Sequence, residues 1–69
     1  MATNQEALDA LIDALYNGSH VPVRVAAAEG LGFIGGEAVR AVLIKAIKDG
    51  SHAEVRAAAA KALGMATHR

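Results

Sequence analysis

Slid against itself by 32 residues, the chain matches itself. The segment LIDALYNGSHVPVRVAAAEGLG, from Leu11 to Gly32, lies over LIKAIKDGSHAEVRAAAAKALG, from Leu43 to Gly64, and thirteen of these 22 positions are identical. Alanine bias explains a few of the identities. It does not explain Gly-Ser-His, Val-Arg and Leu-Gly recurring in one register. A repeat constrains the fold more than any local pattern does, because each unit must bury its apolar faces on the next.

Each unit reads as two helices. Leu8, Leu11, Ile12 and Leu15 follow the i, i+3, i+4, i+7 spacing of one helix face. Thr3 and Glu6 have capping-box spacing and set the start of that helix. Asn17-Gly18, and Asp49-Gly50 in the second unit, read as stops, with Gly taking a left-handed C-cap. Ser51-His52-Ala53-Glu54 is a second capping box. In unit one Pro22 holds the matching first turn, where its missing N–H costs nothing, and the second helix is placed from there. Its expected apolar face is Val23, Ala26, Ala27, Gly30 and Leu31; that of its counterpart is Val55, Ala58, Ala59, Ala62 and Leu63. Gly32, Gly35 and Gly36 read as breaks between units, and Gly64 as the end of the last helix.

The expected fold is therefore all-α, four helices in two antiparallel pairs. One domain spans residues 1–69, with unit one at about 3–33 and unit two at about 35–66. The apolar fraction is 54%, yet aromatics make up only 3% and seventeen residues are Ala, so the core must be thin and the helices closely spaced. Methyl groups bury little area at about 25 cal/mol per Å², while Ala favours helix.

The residues that recur carry a family resemblance. Val23-Arg24 with Ala26-Ala27-Ala28 and Leu31-Gly32, repeated as Val55-Arg56 with Ala58-Ala59-Ala60 and Leu63-Gly64, resemble the HEAT-like repeat of the phycobilisome-lyase type. Leu31-Gly32-Phe33-Ile34-Gly35 matches that repeat's ending in full, and Leu63-Gly64-Met65-Ala66-Thr67 in part. Asp49 fills its acidic turn position, where unit one has Asn17, and the turn is one residue longer. The resemblance implies a right-handed α-solenoid with first helices outside and second helices lining a concave side. It also implies that Arg24 and Arg56 form a structural ladder with turn acids and carbonyls, Asp49 being the expected partner. Phosphate or carboxylate binding is the alternative use of such an Arg.

Counted from the buried valines, Pro22, Val25, Glu29 and Phe33 point into the concave side, with Glu54, Ala57, Lys61 and Met65 beside them. Val25, Glu29, Phe33, Ala57, Lys61 and Met65 make a mostly apolar strip with one acid and one base. Two readings stand there: a surface for a peptide or helix, or a plain solvent-facing helix side. On the outer helices, Glu6, Asp9 and Asp13 fall in unit one, and Arg40, Lys45 and Lys48 in unit two. Asp13 and Lys45 are repeat equivalents and are expected to face one another. The polarity suits a head-to-tail stack; a solvated surface is the other reading.

Several classes of chemistry lack their residues. There is no Cys, which removes thiolate metal sites, disulfides and a cysteine nucleophile. His20 and His52 recur, but stacked helices lie about 8–10 Å apart, too far for one metal with bonds of about 2.0 Å. Neither is followed by Glu, as in iron enzymes built on related repeats. Gly30-Leu31-Gly32-Phe33-Ile34-Gly35 has the spacing of a dinucleotide loop but follows a helix, not a strand. No catalytic residue, cofactor or metal ligand is expected. Seven basic and seven acidic residues give zero formal charge, which argues against nucleic acid and against a polybasic membrane anchor. The first residues carry three acids and no basic region, and no apolar run reaches membrane-helix length, so a cytoplasmic protein is expected.

These readings converge on a non-enzymatic protein–protein interaction scaffold, a homo-oligomer or a module on a larger protein partner, working through exposed solenoid ends or the concave face. The alternatives are a bilin-lyase-like or chromophore-handling accessory protein, and a piece of a longer HEAT-repeat enzyme.

Overall fold

The computed structural model describes residues 1–50 and 52–68. They form four helices: α1 (Asn4–Asn17), α2 (Val21–Ile34), α3 (Glu37–Asp49) and α4 (Ala53–Thr67). α1 packs on α2 and α3 on α4, and the two pairs join chiefly through α2 and α4. The result is an all-α solenoid of two helix-turn-helix units, 33 × 27 × 15 Å across.

The helix starts follow local chemistry. At α1 the capping box closes as its spacing requires: Glu6 N–H donates to Thr3 Oγ1 at 3.1 Å, and Thr3 N–H donates to Glu6 Oε1 at 2.9 Å. The α2 start differs from expectation by one residue. It begins at Val21, so Pro22 sits second in the helix, still within the turn whose N–H groups have no intrahelical acceptor. α4 takes His52 as its N-cap; the expected Ser51 cap lies outside the described residues.

The glycines act differently from the stops expected of them. Gly18 and Gly50 have φ near that of ordinary residues, −58° and −62°, not the left-handed C-cap. What excludes a side chain there is space, since a Cβ at either would come 2.5 Å from the carbonyl oxygen of Ala14 or Ala46. The positive-φ turn is Gly35-Gly36, at 70° and 92°, between α2 and α3; an L side chain is strained in that region. Gly32 does not end α2, which continues to Ile34. It is buried, and a Cβ there would meet Ala62 Cβ at 2.9 Å and the Ala62 backbone at 3.0 Å. Gly64 likewise lies inside α4, which runs to Thr67.

The core has no aromatic residue. Leu31, Leu43 and Val39 are its largest fully buried side chains, and Leu15, Val55 and alanines of α2, α3 and α4 complete it. Small residues at the α2–α4 contact allow this approach, as Gly32 against Ala62 shows. α1 and α3 stand further apart. Helices close on one side and separated on the other curve the stack, with α2 and α4 on its inner side.

The buried faces of α2 and α4 are not the same, although their sequences are. In α4 the buried set is Val55, Ala58, Ala59, Ala62 and Ala66; in α2 it is Ala27, Ala28, Leu31 and Gly32. Val23 and Ala26, expected in the core, are exposed, and Gly30 is half-buried. Leu63 is half-buried, and Ala66 takes its place in the α4 core. The reason is position in the stack. The α4 face that meets unit one has its equivalent in an α2 face that packs on no other unit among the described residues.

Candidate functional site

The recurring arginines close each unit on itself. Arg24 Nε–H donates to the Gly18 carbonyl at 2.7 Å, and Arg56 Nη1 donates to the Gly50 carbonyl at 2.7 Å. Each acceptor follows the last residue of the preceding outer helix, where carbonyls have no intrahelical partner and a cation complements the helix dipole. The expected partner Asp49 is not the one these hydrogen bonds use. Its carboxylate is exposed at the end of α3, where pairing with a cation contributes little against water, whereas the glycine carbonyl lies six residues back in the same unit.

Between the units, a half-open cleft of about 230 Å³ is lined by Leu15, Tyr16, Arg24, Lys45, Ala46, Asp49, Gly50 and Val55. Lys45 Nζ lies 5.6 Å from the Tyr16 ring centroid, a cation–π contact across the unit boundary. Asp13, expected to face Lys45, instead accepts a hydrogen bond from Asn17 Nδ2 at 2.8 Å. That donor is one turn away on the same helix, the spacing at which side chains of a helix meet. Sequence reasoning missed the Tyr16–Lys45 pair. The signal was present, since Tyr16 lies one turn beyond Asp13 on the same outer helix.

The inner strip is distributed over α2 and α4. Phe33 is 63% exposed, Val25 and Met65 are half-buried, and Glu29, Ala57 and Lys61 are exposed. Val25 packs against the core and is the anchored member of the set. Pro22 and Glu54, at the helix starts, are also exposed.

His20 and His52 are the N-cap residues of α2 and α4, and neither ring caps its helix. His20 Nδ1 shares a hydrogen bond with Ser19 Oγ at 2.9 Å. Among the described residues no three His, Asp or Glu side chains gather at one point. No helix among the described residues is long and apolar enough to cross a membrane.

The flanks of the stack expose what its middle buries. On the unit-one side, Val23 and Ile34 are each 46% exposed, while their equivalents Val55 and Ala66 are 4% and 0%. On the unit-two side, Ala60 and Gly64 are exposed where Ala28 and Gly32 are buried. Ile44, at 43%, adds a large apolar side chain to that half of the molecule.

Among known protein families, the one described as HEAT repeats matches residues 2–65. No curated protein and no solved structure matches the chain.

Proposed function

The chain belongs to the HEAT repeat family, and on that premise we propose that it is a non-enzymatic protein-interaction scaffold. It engages protein through the inner face of α2 and α4 and through the flanks of the stack. The observation that carries this reading is Phe33. The single Phe of the chain is 63% exposed, on the helix pair that also carries half-buried Val25 and Met65. A large, exposed aromatic side chain is the kind of residue that anchors a protein interface. Glu29 and Lys61 flank it with one charge of each sign, which suits a helix or extended peptide of mixed charge better than a polyanion.

The test is to place a photo-crosslinking phenylalanine analogue at position 33, and separately at exposed Ala10 on α1, and irradiate cells producing each. Polypeptide adducts at position 33 and not at position 10 support the scaffold reading. Adducts equal at both positions, or absent at 33, overturn it.

A further inference from the structure

We propose that the two flanks fit one another, so that a second copy of this chain stacks head-to-tail and continues the solenoid. This rests on the scaffold reading and names its partner and register. The molecule's own unit-to-unit contact, repeated once more, places residues 3–34 of a second copy where a third unit would follow.

Each contact across the internal boundary then has a defined counterpart across the new one. Gly32 against Ala62, the closest approach of α2 and α4, becomes Gly64 against the second copy's Gly30. The substitution removes a methyl from the tightest point, and no atom lies within 4 Å of a Cβ built at Gly64. Val55 and Ala66, buried inside, become Val23 and Ile34, both exposed on the flank. Apolar residues thus stand where the boundary needs them.

Charge fixes the register and the direction. The cation–π pair of Tyr16 in unit one with Lys45 in unit two becomes Lys48 with the second copy's Asp13, a pair of opposite charges. Both side chains are exposed in the single chain. The outer helices agree in net sign: α1 carries Glu6, Asp9 and Asp13 with no base, and α3 carries Arg40, Lys45 and Lys48 against Glu37 and Asp49. A head-to-tail junction sets α1 of one copy beside α3 of the next. Two-fold pairing of like flanks sets acid against acid or base against base, which is repulsive.

The experiment is molar mass by light scattering over a hundredfold range of concentration, at low and high salt, on the wild type, D13K, K48E and the double variant. Head-to-tail stacking predicts mass that grows past the dimer with concentration. Each single reversal weakens association by about tenfold, from lost attraction plus new repulsion. The double variant restores it, and so does mixing the two single variants, because each junction again joins opposite charges. Helicity by circular dichroism shows that the variants remain folded, and the double variant's recovery shows it independently. A monomer at every concentration, a dimer that grows no further, or a double variant no better than the singles overturns the proposal. The scaffold reading fails on the separate evidence of crosslinking at position 33, so the two failures are distinguishable.

Discussion

Arg24 reaches back six residues and donates Nε–H to the carbonyl of Gly18 at 2.7 Å, joining the start of α2 to the end of α1 within one unit. Arg56 does the same for α3 and α4 through Gly50. Arg24 is half-buried and Arg56 exposed, so one bond is shielded from water and the other competes with it.

Replacing Arg24 by Met should therefore destabilise the fold by about 1–2 kcal/mol, the range for a charge-assisted hydrogen bond partly removed from water. Arg56→Met should cost less than about 1 kcal/mol. Urea unfolding of the two variants beside the wild type reads the difference, and equal losses would contradict it.

Gly32 and Gly64 are repeat equivalents with opposite expectations. Gly32→Ala forces a methyl into Ala62 and should destabilise by about 1–3 kcal/mol, as overpacking does. Gly64→Ala meets open space and should stabilise α4 by up to about 1 kcal/mol through helix propensity. Thermal unfolding of dilute protein, where single chains predominate, should move the midpoints in opposite directions.

Val23 and Val55 give a second such comparison. Val55→Ala removes two methyls from a site only 4% exposed and should cost about 2 kcal/mol. Val23→Ala, at a site 46% exposed, should cost under about 1 kcal/mol. If both variants lose the same stability in dilute solution, the flank assignment is wrong.

The Thr3–Glu6 capping box has a pH signature. The Thr3 backbone N–H, and after it the Thr3 hydroxyl, hold the Glu6 carboxyl below its ordinary value. A lowered folded pKa contributes stability that is fully present above the unfolded value and is lost as pH falls through the folded one. Between about pH 6 and about pH 3, which spans the ordinary carboxylate range, the wild type should lose more stability than Glu6→Gln. Parallel thermal midpoints for the two proteins would show that the box has no such linkage.

Much of the fold was legible because it depends on neighbours close in sequence. The α1 cap needs only Thr3 and Glu6, and the helix count needs only apolar spacing and the repeat. Gly18 and Gly50 were rightly placed at helix ends, but for the wrong reason. Their φ values are ordinary, and what forbids a side chain is a carbonyl of the preceding turn, with an Arg side chain also close by. The surfaces were less legible. Phe33 was expected on an open strip of the second helices, but nothing in the sequence set how far its ring stands out, and the cleft at Tyr16 and Lys45 was missed. Both depend on how far apart two helices settle, which no single helix pattern encodes.

By itself the sequence determined that this chain is two copies of one helical pair, that the pairs stack, and that their outer helices carry opposite charges. These follow from local propensity and from the self-match, which act the same way in both units. Only the tertiary structure decided which of two nearly identical faces is buried. Val23 and Val55 sit in the same Val-Arg pattern, yet one faces solvent and the other the core. The difference lies in what stands beside each helix, and burial belongs to the pair of surfaces in contact rather than to either sequence alone.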